Sequence, residues 1–285
     1  MKTHYKINTV LLAVTVLVLL TSGLAHADNI YVSCYGSGTI VKLDSSGNKS
    51  DFASGLNHPE GLVFDKSGNL YVANWSGGTI VKINSSGTKS TFASGLPAYL
   101  EGLAFDKNGN LYSTSYEDPT INKFDSSGNK SDFAIGLMDQ EGLAFDSSGN
   151  LYVAGWGAGW IMKYDSSGNG DFFGYNDAVG LAFDRSGNLY AANYGNGNIE
   201  KFDSSGNEST FASGLDHPYG LAFDSSGYLY VTSGFSGTIM KFDSKGNSSV
   251  FASGLNVPAY ITTEIPEPCT LLLLGLGAAV ITKKR

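Results

Sequence analysis

Short apolar runs recur along this chain with a period of about 40 residues. A Gly-Leu pair marks each copy, and the glycines of these pairs are Gly61, Gly102, Gly142, Gly180 and Gly220. In the copy that begins at Gly61 the runs are LVFD, NLYVAN, TIVKI and STFAS. Each run is about five residues long and rich in β-branched or aromatic residues, which predicts strands, and no helical period of 3.6 interrupts them. A long internal period of this kind is typical of repeat architectures.

The polar positions between the runs predict tight hairpins. Asp-x-x-Gly-Asn joins the first run to the second, as at 65–69, and a very similar sequence joins the third to the fourth, as at 125–129. Asp can accept hydrogen bonds from the backbone two residues on, and Gly supplies the positive φ of such turns. Each copy is therefore predicted to be an antiparallel four-stranded meander. Radial stacking of such sheets buries both of their faces, as in a β-propeller.

The copies count to six blades. The second strand occurs six times, whereas the first is clear five times and has a degraded sixth copy at 257–263. We therefore predict an all-β, six-bladed β-propeller of four-stranded antiparallel blades. Its ring is closed by the C-terminal strand 257–263, which joins the N-terminal blade 29–56, since an open ring would expose two sheet edges.

The repeat GLAFD-SSGN-LYVAN resembles the NHL-repeat propellers and the related lyase and gluconolactonase-like propellers. The resemblance covers residues 28–263, which we interpret as one domain. It is specific for the fold and weak for function, because such scaffolds carry many different sites.

The two ends of the chain predict export. Residues 1–27 have a basic start, an apolar core and the small-x-small sequence Ala25-His26-Ala27, as in a secretory signal peptide. Residues 264–285 contain Pro266, Glu267 and Pro268, a short apolar run and a basic end. This segment resembles a PEP-CTERM sorting tail. The resemblance implies an exosortase-type membrane protease as partner, transient membrane contact through the tail, and delivery to the surface or exterior of a Gram-negative type bacterium.

Charge narrows the set of ligands. The whole chain has a net charge of −8, and residues 28–268 hold 13 lysines and arginines against 26 acidic residues, a net of −13. Nucleic acid is not an expected partner, because its binding depends on cationic side chains. Cys34 and Cys269 are the two cysteines, so no disulfide framework is predicted for the propeller.

Three carboxylates occupy the position before the Gly-Leu pair in successive blades: Glu60, Glu101 and Glu141. The first strand of each blade is its inner strand, and the inner strands converge on the axis of the propeller. These side chains are therefore expected at the mouth of the central channel. Metal ligands of the gluconolactonase-like propellers sit at this place, which implies calcium or zinc as a cofactor. Val179 and Tyr219 stand where that family has further ligands, and a solvated acidic rim is the alternative interpretation.

Loops on the same face carry further candidates. One aromatic residue per blade follows the second strand, and these residues are Tyr35, Trp75, Tyr116, Trp156, Tyr194 and Phe235. Such rings suit sugars or cations, although packing between blade tops would also use them. Exposure is expected mainly at Trp75 and Trp156. His58 and His217 precede inner strands and could take part in zinc binding or acid–base chemistry, or could be simple turn residues.

These observations favour a binding or matrix-associated protein, with a carbohydrate or another extracellular ligand at the mouth of the channel. The alternative is a divalent-metal-dependent lactonase or lyase of the gluconolactonase-like type. A repetitive surface-layer protein is a third option. No nucleophile motif, phosphate loop or cysteine-rich metal spacing is present in the sequence.

Overall fold

The computed structural model describes residues 28–264, except 136, 137, 158, 175 and 176, and the predicted signal segment and Pro266-Glu267-Pro268 lie outside the described residues. The described chain forms six four-stranded antiparallel sheets. Among these residues no helix is long and apolar enough to cross a membrane. The prediction of an all-β, six-bladed propeller is confirmed.

Blades 1 to 3 use strands from both ends of the chain and from its first half. Blade 1 contains β1 (Asn29–Cys34), β2 (Thr39–Leu43), β3 (Lys49–Ala53) and the last strand, β24 (Pro258–Glu264). Blade 2 contains β4 (Pro59–Phe64), β5 (Leu70–Asn74), β6 (Thr79–Ile83) and β7 (Lys89–Ala93). Blade 3 contains β8 (Leu100–Phe105), β9 (Leu111–Ser115), β10 (Thr120–Phe124) and β11 (Lys130–Ile135).

Blades 4 to 6 each use four consecutive strands. Blade 4 contains β12 (Gln140–Phe145), β13 (Leu151–Gly155), β14 (Trp160–Tyr164) and β15 (Gly170–Gly174). Blade 5 contains β16 (Ala178–Phe183), β17 (Leu189–Asn193), β18 (Asn198–Phe202) and β19 (Glu208–Ala212). Blade 6 contains β20 (Pro218–Phe223), β21 (Leu229–Ser233), β22 (Thr238–Phe242) and β23 (Ser248–Ala252).

Burial falls from the inside of each blade to the outside. In blade 2 every residue of β5 is buried, whereas the first three residues of β7 are exposed. Between blades, Tyr71 packs edge-on against Phe92 of its own blade and Phe105 of the next, with ring centroids 4.9 and 5.0 Å apart. Equivalent contacts recur around the ring. The core is therefore a series of similar layers between neighbouring sheets.

The Asp-x-x-Gly-Asn turns form as predicted. The Asp65 carboxylate accepts hydrogen bonds from the backbone N–H groups of Ser67 and Asn69 at 2.9 and 2.8 Å, and from the Asn69 side chain. Gly68 has a φ of 76°. The carboxylates are thus used within the turns, in keeping with their structural interpretation.

Strand β24 closes the ring by pairing antiparallel with β1. It begins and ends one residue later than the predicted 257–263, because Glu264 still belongs to the repeat. Glu264 accepts hydrogen bonds from Asn29 Nδ2 at 2.9 Å and from the Tyr31 hydroxyl at 3.1 Å. Those are the partners that a turn aspartate has in other blades, so Glu264 belongs to the propeller and not to the segment after it.

Candidate functional site

The channel mouth is built where inner strands begin, and each of these strands has a β-bulge there. In blade 2, Pro59 pairs with Asn74 but Leu62 pairs with Val72, so one extra residue lies in β4 around Glu60. Blades 3 and 4 have the same irregularity around Glu101 and Glu141. Bulges redirect side chains near functional sites. Here they set the backbone at the three carboxylates.

Glycine is required beside these carboxylates for close approach. A Cβ at Gly61 would lie 2.1 Å from the Glu101 carbonyl oxygen, and one at Gly102 would lie 2.7 Å from that of Glu141. The Gly-Leu pair therefore allows neighbouring inner strands to converge. In blade 1 the position is held by Tyr260, whose backbone N–H donates to Ser33 Oγ at 3.0 Å.

The loop that precedes each inner strand, here called the entry loop, is hydrogen-bonded to the loop that carries the aromatic residue after the second strand. The residue two before each carboxylate has left-handed backbone geometry, with φ of 51° at His58, 60° at Tyr99 and 63° at Asp139. The carbonyl of His58 accepts the Trp75 N–H, and the carbonyl of Tyr99 accepts the Tyr116 N–H, both at 3.0 Å. Each entry loop is thus tied to the loop after the second strand of its own blade, which confirms that the two sets of loops share one face.

Glu60, Glu101 and Glu141 are brought together and are nearly inaccessible, with exposed fractions of 6%, 3% and 5%. Trp75 Nε1 donates to Glu101 Oε1 at 2.8 Å. The Tyr219 hydroxyl lies 3.4 Å from Glu101 Oε2 and 3.3 Å from Glu141 Oε2. A solvated acidic rim is therefore the wrong interpretation. These carboxyl groups form a buried cluster, which we call the carboxyl cluster.

Burial controls protonation in the carboxyl cluster. It raises the pKa of Glu141 from 4.5 to about 8, although hydrogen bonds from Glu101 and Tyr219 act in the opposite direction. Burial and the charge of Glu141 raise the pKa of Glu60 well above its usual value. Burial and both neighbouring carboxylates do the same for Glu101. The cluster therefore holds protons at neutral pH when no cation is bound.

Two polar atoms of this site have no hydrogen-bond partner among the described residues, Glu60 Oε2 and the Tyr260 hydroxyl. Burying such an atom without a partner is unfavourable, by about 1–3 kcal/mol. The Tyr219 and Tyr260 rings stand perpendicular to each other, 5.3 Å apart, beside the carboxylates. The cluster thus has unused hydrogen-bonding capacity.

The predicted aromatic residues form two arcs of contacting rings on this face. The first arc joins Tyr35, His58, Trp75 and Tyr99, with Tyr35 and His58 centroids 4.5 Å apart and Trp75 and Tyr99 centroids 4.4 Å apart. The second arc joins Tyr116, Trp156, Tyr194, His217 and Phe235. Trp75 and Trp156 are half-buried, contrary to the expected exposure, and Phe235 is 71% exposed.

The two histidines lie in different arcs and have local partners. His58 Nδ1 is 2.8 Å from Ser76 Oγ, and His217 Nδ1 is 2.8 Å from Asp216 Oδ1. Within the described chain no group of three His, Cys, Asp or Glu side chains is arranged to hold a metal ion. The described residues as placed therefore give the calcium or zinc prediction no support.

Tyr99 is a site residue that the sequence analysis did not single out. It occupies the same position as His58 and His217, three residues before the glycine of a Gly-Leu pair. Alignment of that position across blades could have identified it. Trp160, by contrast, is buried at 6% exposure over Gly155 and does not contribute to the mouth.

Comparisons with known proteins support the fold. No family model matches this chain, and no curated protein is significantly similar to it. A chain of the crystal structure of a nidogen/laminin complex is 19% identical with a TM-score of 0.77, covering 85% of this chain and 100% of that one. A streptogramin B lyase is 15% identical with a TM-score of 0.66, covering 82% and 91%. A virginiamycin B lyase from Staphylococcus aureus is 14% identical with a TM-score of 0.66, covering 83% and 85%. These likenesses support the six-bladed β-propeller fold of this chain.

Proposed function

We propose that this protein is an exported binding propeller that holds an extracellular saccharide at the channel mouth. The observation that carries the proposal is the pair of aromatic arcs around a buried carboxyl cluster with unused hydrogen-bonding capacity. Flat aromatic faces stack on sugar rings, and carboxyl groups accept hydrogen bonds from hydroxyls. The similar chain of the nidogen/laminin complex is a precedent for a protein of this fold in a complex with another protein.

The cellular address is part of the same proposal. The first 27 residues resemble a secretory signal, and the segment around Pro266-Glu267-Pro268 resembles a PEP-CTERM sorting tail. Export through the inner membrane, processing by an exosortase-type protease, and release or retention at the cell surface follow from these resemblances. We also propose that the repeat is related to those of the NHL-repeat and gluconolactonase-like propellers, which it resembles.

The binding proposal is tested with two exposed phenylalanines. Phe235 lies on the rim of the mouth and is 71% exposed, whereas Phe172 lies on the outer strand β15 and is 51% exposed. F235A is expected to weaken saccharide binding by about 3- to 10-fold, the loss typical of one aromatic contact, and F172A to leave it unchanged. Calorimetric titration with neutral and charged oligosaccharides measures both. Equal affinities of F235A and F172A would contradict binding at this face.

A metal-dependent lactonase or lyase is the second candidate. It is favoured by the carboxyl cluster, since a pKa of about 8 suits Glu141 for proton transfer near neutral pH. Two of the structural neighbours are lyases. Its test is thermal unfolding with EDTA, calcium or zinc, because an ion that binds only the folded state raises the midpoint. A rise that E60Q abolishes would establish a metal site, and unchanged midpoints would remove this candidate.

A further inference from the structure

The carboxyl cluster has no positive partner within the described chain. None of its three carboxylates takes part in an ion pair there. Asp139 is a further acid that raises the pKa of Glu141. The carboxylates in turn raise the pKa of nearby phenols, namely those of Tyr35, Tyr116, Tyr194, Tyr219 and Tyr260. Three buried acids without a cation are costly for a folded protein unless a ligand or protons neutralise them.

The hydrogen bonds show the same imbalance. The cluster offers six carboxyl oxygens; Glu101 and Glu141 share one hydrogen bond, and the donors from outside the cluster are the Trp75 indole N–H and the Tyr219 hydroxyl. Glu60 is only 6% exposed, yet no described residue donates a hydrogen bond to its Oε2. Among the described residues the site therefore has no positive charge and fewer hydrogen-bond donors than carboxyl oxygens.

A primary ammonium group supplies both. It carries one positive charge and three donors, and its hydrogen bonds to carboxylates are charge-assisted. The adjacent rings are also suitable, because the faces of Trp and Tyr attract cations. Trp75 donates a hydrogen bond to Glu101, and the Tyr35 phenol is within electrostatic reach of Glu60 and Glu101. Tyr99 packs against Trp75 in the same arc. An ammonium does not need the short, convergent ligand distances that a divalent metal needs.

We propose that the saccharide bound at the mouth is an amino sugar, whose ammonium group is received by Glu60, Glu101 and Glu141 while the first arc holds its ring. This inference rests on the proposed saccharide-binding function and names the chemical class of the ligand. Binding displaces protons from the carboxyl cluster, and the ammonium donates hydrogen bonds to Glu60 Oε2 among others.

The test compares two oligosaccharides that differ only in charge. A glucosamine oligomer carries ammonium groups, and its fully N-acetylated counterpart is neutral. At neutral pH the purified protein is expected to bind the glucosamine oligomer at least about 10-fold more tightly, since charge-assisted hydrogen bonds are stronger than hydrogen bonds between neutral groups. Calorimetric titration gives both affinities. Raising the ionic strength is expected to reduce this preference only partly, because buried charges are poorly screened.

Two isosteric variants locate the effect. E60Q is expected to remove most of the 10-fold preference, so that the two oligomers bind with similar affinity. E208Q is the matched control, because it makes the same change on the exposed outer strand β19, and it is expected to retain the preference. Thermal unfolding confirms that each variant is folded, and E101Q provides a second variant of the cluster should E60Q fail to fold.

The outcomes separate this inference from the proposed function. Equal affinity for both oligomers would overturn the amino-sugar inference while leaving saccharide binding intact. Binding of cadaverine, a simple diamine, without binding of either oligomer would contradict the saccharide function and with it this inference. Tight binding of the glucosamine oligomer by E60Q and by E101Q would also overturn the inference.

Discussion

Glu141 illustrates how a single residue is set by its surroundings. It is 5% exposed, contacts the Tyr219 hydroxyl and shares a hydrogen bond with Glu101. A charged carboxylate in this position is unfavourable, so the folded protein holds the proton more tightly than the unfolded chain does. Burial of this acid lowers the stability of the folded protein, as is common for residues of functional sites.

This linkage predicts a pH dependence of stability. Because the pKa of Glu141 rises from 4.5 in the unfolded chain to about 8 in the folded protein, the contribution of Glu141 to the free energy of unfolding is highest below pH 4.5 and falls as pH rises to about 8. E141Q has no acidic proton at this position, so the melting temperature of E141Q minus that of the parent is expected to increase from pH 5 to pH 8. Each kcal/mol of gain corresponds to about 2–4 °C.

Melting curves of the parent, E141Q and E208Q across this pH range check the prediction. The E208Q control is expected to follow the parent at every pH. Glu60 and Glu101 also bind protons, so E141Q reduces the slope without abolishing it. A constant difference between E141Q and the parent from pH 5 to pH 8 would contradict the prediction.

The sequence predicted which residues reach the mouth but not their state. The position before the Gly-Leu pair placed Glu60, Glu101 and Glu141 on one face, since repeat position fixes place in the ring. Burial of the three acids depends on the rings of Trp75 and Tyr219, which come from different blades. Contacts between blades are not encoded in any single repeat, so they could not be derived from the pattern.

At the scale of the element, the inner strand carries the bulge, the acid and the glycine that lets its neighbour approach. The strand itself was predictable from GLAFD and its flanking turns. The bulge was not, because it arises from pairing with the second strand and changes no residue type. The left-handed φ values of His58, Tyr99 and Asp139 could not be predicted either, because residues other than glycine rarely adopt them.

The glycine of the inner strand can be tested directly. In G180A the new Cβ would lie 2.1 Å from the Tyr219 carbonyl oxygen, so neighbouring inner strands would be forced apart. We expect a loss of about 1–3 kcal/mol in the free energy of unfolding, as for overpacked cores. G195A is the control, because its Cβ would meet its nearest neighbour, Asp177 Oδ2, at 3.4 Å. Denaturant unfolding measures both, and equal stability of the two variants would contradict the packing argument.

At the scale of the whole molecule, stability depends on the ring being closed. Strand β24 supplies Ala259 and Ile261, both 5% exposed, and pairs with β1 from Asn29 to Cys34. Closure removes the two sheet edges that an open ring would leave. This closure was predictable from the sequence, because the repeat region 28–263 begins with the second strand of a blade and ends with a first strand.

Truncation tests the closure. A chain that ends at Asn256 lacks β24 and is expected to melt at least roughly 10 °C lower than the parent, or to lose its cooperative transition, since several kcal/mol of packing are removed. A chain that ends at Glu264 keeps the strand and the Glu264 hydrogen bonds to Asn29 and Tyr31, and it is expected to melt like the parent. Calorimetry on both chains decides, and similar midpoints would contradict closure by β24.

The pairing of β24 with β1 also determines when the molecule can be completed during synthesis. Blade 1 begins to emerge from the ribosome first, yet its inner strand emerges last, more than 200 residues after Ala53. At about 5–20 residues per second this delay is on the order of tens of seconds. Throughout that time Ile30 and Val32, which are buried in the finished protein, lack the strand that covers them. The first blade therefore keeps an unpaired strand edge for longer than any other blade.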